Sequence, residues 1–118
     1  MVGTPNHGIY GWLIGGLCDE AHPGQECFDM QHDSQFIISL NSGDETPGNI
    51  NYLTIAGDCS DNPDNDGVVR VSSVSLNGAI NKEVIGEKIP FKPTFHGDLV
   101  DPSKVPEVYN YVVDFLSL

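Results

Sequence analysis

The sequence predicts a protein of the α/β class, with a few-stranded, mostly parallel sheet and flanking helices. Two observations support this prediction: β-rich runs alternate with segments of helical pattern, and the chain closes on an amphipathic helix. The order is helix, strand, acidic loop, strand, histidine-bearing loop, helix. Such alternation is typical of parallel sheets, whose ligands gather at the carboxyl ends of the strands.

The first half of this alternation contains one helix and one strand. Residues 32–44 ("HDSQFIISLNSGD") offer Asp33 or Ser34 as a start, an apolar block, and an Asn-to-Gly stop, so they predict a short helix. Residues 49–57 ("NINYLTIAG") are rich in β-formers and end at a glycine. They predict a strand buried on both faces.

The second half repeats the alternation. Residues 81–91 ("NKEVIGEKIPF") predict a second strand, and residues 101–118 predict the terminal helix. Asp101 or Ser103 is the expected cap of that helix, with Pro106 in its first turn. Its expected apolar stripe has helical spacing and consists of Val105, Val108, Val112, Phe115 and Leu116.

Length and charge limit the classes of function. A chain of 118 residues forms a single domain, 1–118, with little core to spare. The net charge is −12, and residues 1–69 hold eleven of the seventeen acids but no Lys or Arg. Such a surface repels phosphate backbones, so we predict no nucleic-acid partner. The plain explanation of the acidic excess is solubility. No apolar run reaches the roughly 20 residues of a membrane span, and no signal-peptide pattern opens the chain.

The three cysteines predict at most one internal disulfide. Cys18 and Cys27 enclose a polar segment with Pro and Gly that would let the chain turn back. A disulfide between them fits an oxidising compartment, and two free thiols are the alternative. Cys59 is left over, either free or paired with a cysteine outside this chain.

An aspartate and a histidine follow the two predicted strands. Asp66 stands directly before Gly67-Val68-Val69, and His96 comes thirty residues later. A buried aspartate fixes the tautomer of an imidazole and stabilises its protonated form, and the imidazole then acts as general base on a hydroxyl. A plain loop histidine is the alternative for His96. We expect His7 to serve as a hinge or hydrogen-bonding residue, and His22 and His32 to be solvated.

The loop "DCSDNPDNDGVV" (58–69) also suggests a calcium site. An EF-hand register puts Ser73 where a bidentate Glu is required, so a true EF-hand is not expected. A looser Ca²⁺ site would use Asp58, Asp61 and Asp64, because clustered carboxylates repel one another without a cation or free solvent.

Several segments together resemble a known family. "VGTPNHG", "SQFIISLNSGDETPG", "YLTIAG", "DGVVRVSSVSLNGAIN" and "FHGDLVDPSKVPEVYNYVVDFL" are similar to the C-terminal part of a secreted lipase or esterase of the α/β-hydrolase fold. The resemblance implies that Asp66 is the catalytic acid and His96 the base. It also implies that residues 1–31 are a strand end plus a lid-like segment, and that residues 32–118 are the C-terminal sheet and helices with the acid and base loops.

The chain departs from that family at the nucleophile. It contains no G-x-S-x-G, and the nearest approach, "GDCSD" (57–61), lacks the second glycine and follows the wrong strand. The resemblance therefore implies a fragment of a secreted hydrolase of lipids or other carboxylic esters, inactive alone and requiring no cofactor. We expect a complementing N-terminal half or self-association, because a small parallel sheet leaves edges uncovered. The alternative is a non-catalytic binding or interaction module with an acidic Ca²⁺-binding loop.

Overall fold

The computed structural model describes residues 1–10, 24–60, 63–86 and 94–118. Their fold is a small α/β arrangement with a parallel sheet and helices, which confirms the predicted class. The elements in chain order are α1 (Gln25–Asp29), α2 (Gln35–Leu40), β1 (Leu53–Asp58), α3 (Val71–Val74), β2 (Ile80–Ile85), a 3₁₀ helix (His96–Val100) and α4 (Pro106–Leu116).

Strand β1 makes backbone hydrogen bonds along both of its edges. It pairs in parallel with β2, from Leu53 opposite Ile80 to Asp58 opposite Ile85. On its other side Val2 forms a parallel bridge with Ile55, and the Gly3 N–H donates to the Ile55 carbonyl at 2.8 Å. All six residues of β1 are buried, as expected for a strand covered on both faces.

The two faces of β1 pack against different elements. On one face Ile55 joins the larger core cluster, whose buried members are Leu53, Ile55, Val84, Leu99, Val105 and Val108. Ala56, the next residue, points to the opposite face and packs with Val69 and Val74. The 3₁₀ helix and α4 therefore cover one face, while α3 covers the other. This layering leaves the carboxyl ends of the strands to the loops.

The N-termini of α2 and α4 differ in how they are capped. Ser34 caps α2, since its Oγ accepts the N–H of Ile37 at 3.1 Å. The predicted helix is therefore confirmed in a shorter form.

The predicted cap of α4 is wrong. Asp101 instead accepts the N–H and the hydroxyl of Ser103 in a turn of its own, at 2.9 and 2.6 Å, and α4 begins at Pro106.

The buried part of the apolar stripe on α4 is shorter than the sequence predicts. Val105 and Val108 are buried in the core, and Val112 and Phe115 are partly buried against it. Leu116, the last residue of the predicted stripe, is 75% exposed. No helix within the described ranges is long and apolar enough to cross a membrane.

Two predicted segments fall partly outside the described residues. Most of the lid-like segment lies in 11–23. The strand predicted at 81–91 is described up to residue 86, where its first part forms β2, and its residues 87–91 lie outside. Within the described parts, the structure adds α1 and α3, which the sequence pattern did not indicate.

Candidate functional site

Asp66 lies in a tight turn beyond the carboxyl end of β1. An antiparallel bridge between Asn65 and Arg70 closes the turn, and Gly67 supplies its positive φ of 88°. The Asp66 side chain is fully buried. Its Oδ1 accepts the backbone N–H groups of Val68 and Val69 at 3.0 and 2.7 Å. The turn thus holds one carboxylate oxygen and directs the other away from itself.

The second oxygen of Asp66 meets His96. His96 Nδ1 lies 2.8 Å from Asp66 Oδ2, and the His96 backbone N–H donates to the Asp66 carbonyl at 2.8 Å. The His96 side chain is 39% exposed. No described residue hydrogen-bonds to its Nε2. An ionised Asp66 accepts a proton-bearing Nδ1, so Nε2 carries the lone pair of the neutral ring and can act as a base toward solvent.

Two glycines make room for this pair. A Cβ built on Gly3 would lie 3.1 Å from Cε1 and Nδ1 of His96 and from Leu99. A Cβ on Gly57, in β1, would lie 3.1 Å from Cβ of Asp66. The backbone at Gly3 therefore lies against His96, and the backbone of β1 at Gly57 lies against Asp66. The sequence pattern gave no sign that these two glycines matter.

A cluster of three carboxylates lies on the β2 side of β1. Asp58, Asp64 and Glu83 each offer an oxygen, and these oxygens lie within 4.8 Å of one another. Asp58 is buried, and one of its oxygens accepts the N–H of Ser60 at 2.7 Å. Burial, and then the charges of Asp58 and Asp64, raises the pKa of Glu83. Groups with this arrangement could hold a cation.

The cluster contains two residues of the predicted Ca²⁺ site, Asp58 and Asp64. Asp61 lies outside the described residues, while Glu83 takes part without having been predicted. The parallel register explains why: Glu83 pairs with Ala56, so it lies on the same face as Asp58, two residues further along β1. The pairing of strands, unknown from one sequence, is the signal that would have found it.

Two of the other histidines, His7 and His32, have defined partners in the structure. His7 Nε2 lies 2.7 Å from Glu45 Oε1, in agreement with a hydrogen-bonding role. His32, expected to be solvated, instead stacks on the ring of Tyr10 with centroids 3.9 Å apart. His22 lies outside the described residues.

The cysteines leave the disulfide prediction open. Cys27 is buried, whereas Cys18 lies outside the described ranges, so their pairing stays a prediction. Cys59 is also buried, and its Sγ donates to the carbonyl of Thr94 at 3.2 Å.

The arrangement of Asp66 and His96 supplies an oriented base without a nucleophile. No serine hydroxyl in the described ranges hydrogen-bonds to His96, and the sequence has no G-x-S-x-G. Comparison with known protein families, with curated proteins and with solved structures finds no match to this chain.

Proposed function

We propose that this chain is the acid-and-base part of a serine hydrolase of lipids or other carboxylic esters. The observation that supports the proposal best is the hydrogen bond between a fully buried Asp66 and a half-exposed His96. A buried acid and an accessible imidazole are the environments that these two roles require. The resemblance of the chain to secreted lipases points to the same reaction class.

In the proposed mechanism His96 acts through Nε2. It takes the proton of a serine hydroxyl supplied by another segment, and the serine oxygen attacks the ester carbonyl. The protonated imidazole, stabilised by Asp66, then gives the proton to the departing alcohol. Water repeats the sequence on the acyl-enzyme and releases the acid. Each proton therefore passes through the nitrogen that has no partner among the described residues.

The surroundings of His96 favour an apolar substrate. Its neighbour Phe95 is 46% exposed, and Val100 at the end of the same 3₁₀ helix is 77% exposed. Exposed apolar side chains beside a reactive group are suited to acyl chains or a lipid surface. These residues support the lipid side of the proposal. A secreted parent protein is proposed from the resemblance alone.

The proposal requires that the chain alone does not hydrolyse esters. With p-nitrophenyl butyrate, we expect the pure chain to show no turnover above buffer. We expect activity when it is combined with the polypeptide encoded immediately upstream, provided that this carries a G-x-S-x-G. His96→Ala should then lower kcat by at least about 10⁴-fold.

His32→Ala is the matched control, since His32 is half-buried but does not contact Asp66. It should leave kcat within about threefold. Turnover by the chain alone that His96→Ala abolishes would refute the need for an external serine. A complemented enzyme that is indifferent to His96→Ala would refute the proposed base.

A second candidate function is a non-catalytic module that binds Ca²⁺. The observation in its favour is the carboxylate cluster of Asp58, Asp64 and Glu83. Three convergent oxygens suit Ca²⁺, and a cation would oppose the two effects that raise the pKa of Glu83, burial and then the charges of Asp58 and Asp64. Because Asp64 precedes Asp66 by two residues, a bound cation would also restrain the turn that holds Asp66.

Calorimetry separates this candidate from a plain acidic surface. We expect Ca²⁺ to bind with a dissociation constant of about 10⁻⁴–10⁻³ M, and Glu83→Gln to abolish the heat. Glu107→Gln, on α4 and outside the cluster, should leave it unchanged. The absence of heat at millimolar Ca²⁺ would exclude the site.

A further inference from the structure

The outer edge of β2 is open within the described ranges. The N–H of Ile80 donates to the carbonyl of Tyr52 at 2.9 Å, and the N–H of Gly86, the residue after β2, donates to that of Asp58 at 2.7 Å. Backbone groups alternate in direction along a strand, so the even-numbered residues of β2 face β1 and the odd-numbered ones face outward. The outward N–H and C=O groups belong to Asn81, Glu83 and Ile85. No described residue hydrogen-bonds to these groups, and such an edge can accept an added strand.

One face of this edge is acidic. Glu83 is exposed, and one of its oxygens lies within 4.8 Å of an oxygen of Asp58 and of Asp64. Burial, and then the charges of the two aspartates, raises the pKa of Glu83. A Lys or Arg side chain nearby would oppose both effects, because a cation favours the charged form of a carboxyl group. In an added strand, the residue opposite Glu83 points to the same face and is the one that can supply this cation.

The other face of the edge is largely apolar. A groove of about 220 Å³ lies between β2 and α4, and its lining includes Ile80, Phe115 and Leu118. Ile80 is 40% exposed and Leu118 is 82% exposed. The lining also contains one cation, Lys82, and one acid, Asp114, whose charges offset each other. Alternate side chains of an added strand would therefore meet apolar surface on this face.

A second copy of this chain is unsuited to the edge. Each copy has a net charge of −12, and pairing two β2 strands would place the acidic clusters of both copies on one sheet. Charged residues on an edge strand deter pairing with an identical edge but admit an edge of opposite charge. The charge of the partner is thereby specified.

We propose that the free edge of β2 binds an extended segment of a partner protein in which basic and apolar residues alternate. The segment forms hydrogen bonds with the backbone of Asn81, Glu83 and Ile85. It places Lys or Arg beside Glu83 and apolar side chains along the groove. Because the same carboxylates are those that would hold Ca²⁺, the segment and the cation compete.

Calorimetry with acetyl-Val-Lys-Val-Lys-Val-amide, in the presence of EDTA, tests the proposal. This peptide reads the same in both directions, so it presents the same faces in parallel and in antiparallel pairing. We expect a dissociation constant of about 10⁻⁴–10⁻³ M. The peptide with Glu in place of both Lys residues should bind at least about tenfold more weakly. Methylation of the three central backbone nitrogens, which removes their N–H donors, should have an effect of at least the same size.

Amide hydrogen exchange locates the bound peptide. At saturation, exchange should slow by about tenfold at the outward amides of Asn81, Glu83 and Ile85. It should change less at Lys82 and Val84, whose N–H groups already face β1. This alternation is specific to an added strand, since a peptide held by charge alone would not produce it.

Two substitutions test the edge separately from the charge. Glu83→Gln should weaken binding of the lysine peptide by about three- to tenfold, whereas Glu107→Gln, on α4, should leave it unchanged. Ile85→Pro removes one outward N–H without removing a hydrogen bond to β1, a position that proline tolerates on an edge strand. It should weaken binding by about tenfold and leave the circular dichroism spectrum unchanged.

Equal affinity for the glutamate peptide would refute the charge of the partner. Binding without slower exchange at the outward amides would refute strand addition. A dimer of the free chain that protects these same amides would show that a second copy is the occupant and would also refute the proposal. His96→Ala should bind the peptide with unchanged affinity, whether or not the proposed catalysis holds, so the two proposals fail separately.

Discussion

Asp66→Ala is expected to lower the free energy of unfolding by about 2–5 kcal/mol. The substitution removes the acceptor of a buried backbone N–H, that of Val69, and of a partly buried one, that of Val68, together with the partner of His96 Nδ1. Buried donors left without an acceptor lose their full hydration free energy, which is why the loss exceeds that of an ordinary hydrogen bond. Urea denaturation followed by circular dichroism measures it.

Asp66→Asn separates the structural role of this side chain from its effect on the imidazole. The amide oxygen still accepts from Val68 and Val69, so we expect a loss of at most about 1.5 kcal/mol. The amide N–H₂ faces Nδ1, however, and forces the proton of the neutral ring onto Nε2. Imidazole ¹⁵N shifts should therefore show the opposite tautomer, and the complemented hydrolase should lose its base.

Asp114→Ala is the control for both variants, since Asp114 is an exposed acid on α4. It should change the free energy of unfolding by no more than about 0.5 kcal/mol. If Asp66→Asn were as destabilising as Asp66→Ala, the turn would depend on the charge rather than on the acceptor. An unchanged His96 tautomer in Asp66→Asn would contradict the orienting role of Asp66.

Gly3→Ala is expected to destabilise the protein by about 2–4 kcal/mol. Gly3 has a φ of 57°, and an added Cβ would press on the His96 ring and on Leu99 at 3.1 Å. Both the backbone strain and the crowding oppose the native arrangement. The variant should also shift the His96 signals, because the ring has to move away from the added Cβ.

Gly48→Ala isolates the backbone contribution. Gly48 also has a positive φ, of 84°, but no atom lies within 4 Å of its added Cβ. We expect a loss of about 1–2 kcal/mol and no change at His96. If the two alanine variants were equal in stability and both left His96 unmoved, the contact between Gly3 and His96 would have no effect.

Local patterns predicted the local elements well. The run ending at Gly57 became the buried strand β1, and Ser34 caps α2 through a hydrogen bond to a residue three positions away. The same kind of local pattern gave a wrong prediction for the cap of α4. Asp101 and Ser103 satisfied each other in a turn, so neither was left to cap the helix.

Contacts between distant residues could not be predicted in the same way. Glu83 joins Asp58 only through the register of β1 and β2, and His7 meets Glu45 across 38 positions of sequence. His32 stacks on Tyr10 rather than facing solvent. Each depends on the pairing of strands or on the packing of loops, which one sequence does not specify.

By itself, the sequence determined the α/β class and the buried strand, and it indicated Asp66 and His96 as candidate site residues. Periodicity, capping and turn chemistry act over a few residues, so they can be read along the chain. Only the tertiary structure decided that Asp66 is fully buried, that the His96 side chain beside it is 39% exposed, and that Gly3 and Gly57 leave room for the pair. Burial and orientation depend on which distant elements pack together, and that packing sets the chemistry of these side chains.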